Sequence, residues 1–404
     1  MSLPPVIASL SRHKLTALLL VLQVSLTCAI VCNVAFMIIH RSEQLHQPSG
    51  VAEDELVMIE SSDLDQNAQP LVRHTTDLAA LRAIPGVTSV AAIDALPFNR
   101  NDWSNGIALS KDGTAITSAT AFNGTQDELA TLGLHLIEGR HFLPDEYIPL
   151  DSAHDWAGID HVSAAIVTRA LGQKLFPGQD PLGKTIYAGD GPTRIVGVVD
   201  RLTRPHTHED DSNDYATLFP MLPDTNEIIY VLRTAPQERE RVLKQAASVL
   251  NRLDENRILQ HAQTFTQLRA QYFQHNRTMI SLLVAAALGL FAVTAIGIGG
   301  LANFWVQQRR RSIGVRRALG ATRTDILRYF QGENLLIVSA GIVVGAVLAY
   351  ALNLALMEYY EQARLPPAYP LACALSLWLL GQLAVLGPAL RAAAVPPVIA
   401  TRSA

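Results

Sequence analysis

The stretch Gln307–Leu335, QQRRRSIGVRRALGATRTDILRYFQGENL, lies between two apolar runs of the chain, Met279–Val306 and Asn334–Met357. Each run is long enough to cross the hydrocarbon core of a bilayer, which takes about 20 helical residues. The stretch between them holds seven arginines. Short loops rich in arginine stay on the cytoplasmic side because they are poorly translocated. The pattern therefore predicts a membrane protein in which this stretch faces the cytoplasm.

The same stretch carries a helix start signal. Thr322 followed by Asp325 predicts a capping box, in which the hydroxyl accepts a hydrogen bond from an otherwise unpaired amide. Apolar residues then recur at helical spacing from Arg323 onward, at Ile326, Leu327 and Phe330. We expect a short amphipathic helix here, and residues 313–319 just before it are also compatible with a helix. The apolar face needs a cover, either lipid headgroups or a soluble partner.

Two further spans complete a four-span α-helical domain. The uncharged run Leu15–Ile39 follows the basic residues Arg12, His13 and Lys14. A signal peptide has an apolar region of about 7–15 residues, so this longer run is expected to be a retained span with a cytoplasmic N-terminus. The fourth span is expected to run from Leu371 to Leu386 or Leu390, which returns the C-terminus to the cytoplasm.

Charge separates the chain into two parts. Residues 41–278 hold 20 Lys and Arg against 32 Asp and Glu, a net charge of −12, whereas the remainder carries +8. This asymmetry fits a membrane protein with an acidic external domain and argues against a nucleic-acid partner. Cys28, Cys32 and Cys373 all lie in predicted spans, so the external domain has no disulfide scaffold. Cys28 and Cys32 share one helix face and are expected to be small packing residues.

Residues 41–278 are predicted to form a large mixed α/β domain inserted between spans 1 and 2, with an insert at about 121–223. Helices are expected at Asp77–Ile84, Glu128–Leu134, Ala164–Phe176 and Gln237–Arg252. Strands are expected at Leu56–Glu60, Val87–Ala92, Thr185–Ala188, Thr193–Asp200 and Glu227–Thr234. Residues 267–277 continue into the second span without a breaker, so a continuous helix over 267–306 is expected.

The run SIGVRRALGATRTDILRYFQGENLL resembles the segment after the second span in MacB/FtsX-like ABC transporter permeases, although the family usually has Glu where Ser312 stands. Four further segments resemble, in the same order along the chain, landmarks of the MacB-type periplasmic core domain: IPGVTSV, LIEGRHF, LFPGQDPLGKTI and RIVGVVD. The resemblance implies a permease subunit in the bacterial inner membrane, divided into residues 1–40, a periplasmic domain over 41–278, and spans 2–4 over 279–404. It implies export driven by a separate cytoplasmic ABC ATPase, which holds the ATP and Mg, with no enzymatic activity or cofactor in the permease itself.

The family resemblance also implies partners and contact residues. Residues 307–333, here called the coupling segment, are the family's coupling helix. The residues expected to contact the ATPase are Arg316, Arg317, Ala318, Leu319, Gly320, Ala321, Thr322 and Asp325. A second permease, identical or paralogous, would complete a dimer, and a periplasmic adaptor with an outer-membrane duct would extend it. Gly341 and Gly345 form a small-residue face suited to helix packing in lipid.

Two motifs point to other chemistry. Gly178–Thr185, GQDPLGKT, matches the phosphate-binding loop, but a predicted helix precedes it and a strand follows, the reverse of what that loop requires. We interpret it as a turn into a strand. The loop at 205–214 gathers His206, His208 and several carboxylates that could bind Zn²⁺ or Ca²⁺, although such runs are usually solvated surface loops.

Two alternatives share the four-span plan. An FtsX-like regulator would use its external domain to activate a cell-wall hydrolase, and a lipoprotein-release permease would extract lipoproteins from the membrane. The large external domain and the order of its landmarks favour the exporter interpretation.

Overall fold

The computed structural model describes residues 14–63, 69–99, 103–150, 157–208, 211–318, 320–360 and 364–394. Its helices are α1 (Lys14–Leu45), α2 (Pro70–Arg82), α3 (Glu128–Leu132), α4 (Arg169–Leu175), α5 (Arg239–Leu253), α6 (Phe265–Tyr272), α7 (Gln274–Gln308), α8 (Arg310–Ala318), α9 (Arg323–Tyr360) and α10 (Ala368–Ala393). Its strands are β1 (Leu56–Asp63), β2 (Val87–Ile93), β3 (Ser104–Ile107), β4 (Thr117–Asn123), β5 (Leu136–Gly139), β6 (Ile148–Leu150), β7 (Ala164–Thr168), β8 (Thr185–Ile186), β9 (Thr193–Val199), β10 (Ala216–Phe219), β11 (Met221–Pro223), β12 (Glu227–Thr234) and β13 (Arg257–Thr264).

The chain divides into two compact units, an α/β unit of Gln47–Gln274 and a helical unit made of the residues on either side. In the helical unit, α1, α7, α9 and α10 are the helices, among the described residues, long and apolar enough to cross a membrane. α9 packs against both α1 and α10, and α10 also packs against α1. The four spans and the α/β domain between the first and second confirm the predicted fold class.

Polar side chains add specific links between the spans. The Thr27 and Thr294 hydroxyls join α1 to α7 at 2.8 Å. The Asn33 amide donates to the carbonyl of Ala349 on α9 at 3.1 Å. In an apolar medium such bonds favour one helix register, because a shifted helix would leave the groups unpaired.

The third span differs from its predicted extent. The amphipathic helix expected from Arg323 and the span expected from Asn334 are one continuous helix, α9. No proline or glycine pair interrupts the junction, and residue 332 is a single glycine within helical surroundings. A force applied at the first turn of α9 would therefore act on the whole span.

The first sheet of the α/β unit has the order β13-β1-β12-β2, and all its pairings are antiparallel. Helices α2 and α5 cover it, with Leu81, Val242 and Leu250 in the shared core. β1 comes from the start of the unit, whereas β12 and β13 come from its end. The sheet therefore joins the two ends of the unit. The predicted strands at 56–60, 87–92 and 227–234 are confirmed as β1, β2 and β12.

A buried ion pair lies under this sheet. Arg257 and Asp77 contact each other at 2.8 Å with side chains that are each 1% exposed. Tyr230 donates its hydroxyl to the same carboxylate at 2.6 Å. Burial and the nearby Arg73 lower the pKa of His74 to about 4, so this neighbouring imidazole is neutral.

The second sheet has the order β3-β4-β10-β7-β9-β5, with β8 paired to β9. It already begins at Ser104, before the insert boundary expected near residue 121. Residues 164–168, predicted as the first part of a helix, form the buried strand β7 instead. Alternating burial cannot identify such a strand because every one of its side chains is buried. The helix α4 starts only after Thr168, whose hydroxyl accepts a hydrogen bond from the amide of Leu171 at 3.4 Å.

Two carboxyl groups, one half-buried and one buried, lie where the two sheets meet. Asp94 follows β2 and accepts hydrogen bonds from the backbone and side chain of Asn123, at 2.9 and 2.6 Å. Burial raises the pKa of Asp94 to about 6 although these bonds oppose the shift. Glu128 is 1% exposed, and burial together with the Asp94 charge raises its pKa well above the usual value.

The helix expected to run unbroken from residue 267 into the second span is interrupted. α6 ends at Tyr272, Phe273 has φ −90° and ψ 6°, and α7 starts at Gln274. The Phe273 ring packs 5.2 Å from Phe98, between centroids. This aromatic contact offers a physical reason for the break, because it orients residue 273 toward the core of the α/β unit.

Candidate coupling site

The coupling segment consists of α8, a tight turn and the first turns of α9. α8 follows α7 after a single residue, Arg309, whose amide still donates to the carbonyl of Trp305 at 3.0 Å. Gly320 ends α8 with φ +98°, and the Ala321 amide donates to the carbonyl of Arg316 at 3.1 Å. This is the Schellman arrangement, in which a glycine is favoured because it adopts the left-handed conformation without a Cβ penalty.

The predicted capping box is present at the start of α9. Asp325 accepts from the amide and the hydroxyl of Thr322, at 3.0 and 2.6 Å. The amide of Asp325 donates in return to the Thr322 hydroxyl at 3.2 Å. Two helix ends with well-defined caps therefore set the angle between α8 and α9 within a turn of a few residues.

An ion pair closes the segment on its inner side. Arg309 donates to Glu333 through both terminal nitrogens of its guanidinium, at 2.8 and 3.3 Å. The Glu333 side chain is 2% exposed and that of Arg309 is 17% exposed. The pair joins the end of α7 to α9 across the whole coupling segment. Arg309 and Glu333 lie 24 positions apart, and no local pattern in the sequence predicts that they pair.

The apolar face of the segment is buried within the helical unit. Ile313, Ile326 and Phe330 are 4–5% exposed and belong to the same core as the spans. The arginine at 316 lies over the ring of Tyr329, 5.0 Å from its centroid, and so links α8 to α9 a second time. The segment therefore needs neither headgroups nor a partner to cover these three residues.

The outer face of the segment is exposed and carries most of the predicted contact residues. Val315 is 47% exposed, which leaves an apolar side chain on this face. The exposed members of the predicted set are Arg316, Ala318, Gly320, Thr322 and Asp325, and Ala321 is half-buried. Arg317 lies in α8 without a described side chain, and Leu319 lies outside the described residues. The arrangement offers a small, mainly basic surface with one acidic group.

Gly341 and Gly345 lie where α9 packs against α1. A Cβ on Gly341 would come within 2.7 Å of the Cβ of Val24, and one on Gly345 within 2.5 Å of the Cβ of Cys28. Real Cβ atoms do not approach so closely, so both glycines allow the two backbones to meet.

The two motifs that suggested other chemistry lie in the α/β unit. Residues 178–185 form a turn with positive φ at Gly178 and Gly183, and it leads into β8 as predicted. In the other motif, His206 and His208 pack ring to ring with centroids 5.6 Å apart. Residues 209 and 210 lie outside the described part of the chain, so the interpretation of 205–214 as a solvated surface loop stays a prediction.

Two family models match this chain. Residues 22–255 match the family model of the MacB-like periplasmic core domain, which covers more than half of the chain. Residues 284–397 match the FtsX-like permease C-terminal model. The spans and this periplasmic-type domain fit a multi-pass inner-membrane protein.

Individual relatives are distant. The macrolide export ATP-binding/permease protein MacB of Acinetobacter baylyi is 25% identical over 85% of this chain and 50% of its own length. The pyoverdine export ATP-binding/permease protein PvdT of Pseudomonas syringae pv. syringae is 29% identical over 60% of this chain and 38% of its own length. The crystal structure of the periplasmic region of MacB from Actinobacillus actinomycetemcomitans covers 56% of this chain and 97% of that one, at 14% identity and a TM-score of 0.34. The chain thus spans half or less of the length of these two curated relatives. With both family models matched in order along it, the chain belongs to the MacB/FtsX-like family of ABC transporter permeases.

Proposed function

We propose that the chain is the permease subunit of a MacB-type ABC exporter, and that a cytoplasmic ATPase on a separate polypeptide drives it through the coupling segment. The observation that supports this most directly is the two-sided construction of that segment. Its inner face belongs to the core of the spans, while its outer face is exposed. Such a segment can receive a force on one side and transmit it on the other.

Charge indicates what would bind the outer face. Arg316 and Arg323 are exposed on either side of the turn, beside the apolar Val315. A partner cleft with acidic rims and an apolar floor would complement this surface. The basic groups would steer the encounter, and the small residues at 318 and 320 would allow close approach of the partner backbone.

Transmission would use covalent and packed connections within the helical unit. α9 is continuous from its capped first turn into the third span, so it would transmit a force exerted by the ATPase without interruption. The ion pair between Arg309 and Glu333 would transfer it to the end of α7. From there the chain leads back to α6 and the periplasmic domain. We propose that ATP-dependent movement of the ATPase thereby changes the conformation of that domain.

Cargo would be handled on the periplasmic side. The runs 15–39, 279–306, 334–357 and 371–390 contain no Asp, Glu, Lys or Arg. Charged groups mark polar pathways through membrane domains, so these runs favour transmission of motion over passage of a polar substrate. The relatives named for macrolide and pyoverdine export support molecules of that kind as cargo. A second permease, a periplasmic adaptor and an outer-membrane duct would complete the assembly.

The docking proposal can be tested with the permease and its cognate ATPase in lipid nanodiscs. We expect Val315→Asp and Arg316→Glu to reduce co-purification of the ATPase and its stimulated hydrolysis at least tenfold, because a buried contact would then carry an unpaired acidic group. Arg364→Glu is the matched control, an exposed arginine in the loop between the third and fourth spans. Val315→Asp that binds and stimulates the ATPase like the wild type would contradict the proposal.

Orientation is tested separately by labelling single engineered cysteines in spheroplasts. Ser110 and Ser312 are both exposed in the structure. We expect an impermeant maleimide to label Ser110→Cys before lysis and Ser312→Cys only after it. The reverse pattern would place the coupling segment outside and rule out a cytoplasmic ATPase partner.

A further inference from the structure

Three thiols from two different spans meet inside the helical unit. Cys28 and Cys32 lie one turn apart on α1, and Cys373 comes from α10. The Sγ atom of Cys28 is 4.0 Å from that of Cys32 and 4.0 Å from that of Cys373. All three sulfur atoms lie within 4.8 Å of one another. These are the only cysteines of the chain, and they converge although they are far apart in sequence.

The thiols are enclosed in apolar surroundings. Cys28 and Cys32 are 0% exposed and Cys373 is 5% exposed, all in the core shared by the spans. Their present contacts are weak, since the Cys373 thiol approaches the carbonyl of Cys28 at 3.8 Å. Three soft donor atoms therefore lie together in an apolar core, which packing alone does not require.

The spacing suits a metal ion at that centre. Bonds from a first-row d¹⁰ metal such as Zn²⁺ to cysteine sulfur are about 2.3 Å long. Three such bonds in a trigonal plane place the sulfur atoms about 4.0 Å apart, which follows from the same bond length. The Cys28–Cys32 and Cys28–Cys373 Sγ separations equal this value, and the Cys32–Cys373 separation is at most 4.8 Å, so an ion could bind after a small movement of the side chains.

We propose that Cys28, Cys32 and Cys373 form a binding site for one monovalent soft metal ion, Cu(I) or Ag(I), which links the first span to the fourth. Soft thiolate ligands select Cu(I) over hard cations. A structural zinc ion takes four ligands, and the described residues place only three His, Cys, Asp or Glu side chains around this centre. The inference is independent of the proposed function.

Binding is an exchange of protons for the metal ion, without oxidation. Each thiol that binds as a thiolate releases one proton to solvent, so two thiolates and one neutral thiol around M⁺ leave a net charge of −1. This state is favoured over three thiolates, with a net charge of −2, because charge is costly in an apolar interior. A disulfide would require the loss of two electrons and a sulfur separation of about 2.05 Å instead of 4.0 Å.

An occupied site would restrain the packing of the spans. The Cβ of Cys28 also faces Gly345 on α9, so three spans meet within a few ångströms of the sulfur cluster. A bound ion would hold α1 against α10 beside that glycine contact. We expect metal-loaded protein to resist thermal unfolding better than metal-free protein.

The test uses the full-length protein in detergent under anaerobic conditions, expressed with and without added copper. Metal content is measured by mass spectrometry and Cu(I) affinity by competition with a chromophoric chelator. We expect one Cu(I) per chain, with Cu–S distances of about 2.3 Å by X-ray absorption. Cys28→Ala and Cys373→Ala should each weaken binding at least a hundredfold. Ser376→Ala, one turn along α10 from Cys373, is the matched control and should bind like the wild type.

Two results would overturn the inference. The first is a variant without cysteines that binds Cu(I) as tightly as the wild type does. Met and His side chains elsewhere in the chain would then account for the binding. The other is an absorption spectrum of the wild-type protein that lacks Cu–S scattering. The second measurement needs no variant, so it remains decisive even where a substitution impairs folding.

Discussion

The ion pair between Arg309 and Glu333 provides a direct test of how the coupling segment is held. Glu333 is 2% exposed and accepts from both terminal nitrogens of the guanidinium. Glu333→Gln keeps the shape of the side chain and removes its charge. Arg309→Met keeps most of the apolar stem and removes the guanidinium. Together the two changes separate the charge interaction from packing.

The expected magnitudes follow from burial. Removing one partner of a buried pair costs about 3–5 kcal/mol, because the other charge is left unpaired. Arg309→Met removes the guanidinium that donates to the enclosed carboxylate and should cost about 3 kcal/mol. Glu333→Gln should cost about 2 kcal/mol, a smaller loss, because Arg309 is 17% exposed and can turn toward solvent. The double variant should be about 2 kcal/mol more stable than the sum of the single changes predicts.

The assay is equilibrium unfolding of the purified protein in mixed micelles with increasing sodium dodecyl sulfate. Tryptophan fluorescence follows the unfolding, and Trp305, which is 5% exposed and lies one turn before Arg309, contributes to it together with the three other tryptophans of the chain. Wild type, both single variants and the double variant form the cycle. Additivity within about 0.5 kcal/mol would refute the reasoning, since it would show that the two side chains do not interact energetically.

Further predictions concern the span packing and the α/β unit. Gly345→Leu should destabilise the helical unit by several kcal/mol because its Cβ would overlap α1, whereas Gly300→Ala, which meets nothing within 4 Å, should change the unfolding midpoint little. The pKa of Asp94 is raised to about 6, so the folded state binds this proton more tightly and loses stability as pH rises from about 4 to 6. The stability of Asp94→Asn relative to wild type should therefore increase by about 2 kcal/mol over that interval, measured by thermal unfolding of the full chain, and a constant difference would contradict the shift. Arg257→Met should destabilise the α/β unit by about 3–5 kcal/mol because it leaves the buried Asp77 carboxylate without its counter-charge, and a loss below 1 kcal/mol would contradict this.

The coupling segment shows what local sequence information predicts well. Thr322 and Asp325 were identified as a capping box, and the structure contains its reciprocal hydrogen bonds. Both partners lie within one turn, so their energetics depend on a few residues only. The predicted boundary between the amphipathic helix and the third span was wrong, because it was placed where the composition changes. A change in composition at Asn334 marks a change of surroundings, and the backbone of α9 continues through it.

The α/β unit shows where pattern recognition fails. Residues 164–168 were predicted as helix because a continuous apolar run has no periodicity that distinguishes a buried strand from a buried helix. The break at Phe273 was missed because neither proline nor glycine marks it. Its ring contact with Phe98 involves a residue far away in sequence.

Composition and spacing alone were sufficient for the number of spans and for the capping box at Thr322, because hydropathy, charge bias and helix caps act over a few neighbouring residues. The family was predicted from the resemblance of several motifs in order along the chain, and the family models confirm it. The direction in which the coupling segment presents its apolar residues required the packed structure. The same periodicity of Ile326 and Phe330 suits a partner's cleft or the core of the spans, and only the tertiary fold shows that the core takes them. The pairing of Arg309 with Glu333 and the convergence of three distant thiols likewise depend on long-range packing, in which the favourable contacts appear only after the whole bundle has formed.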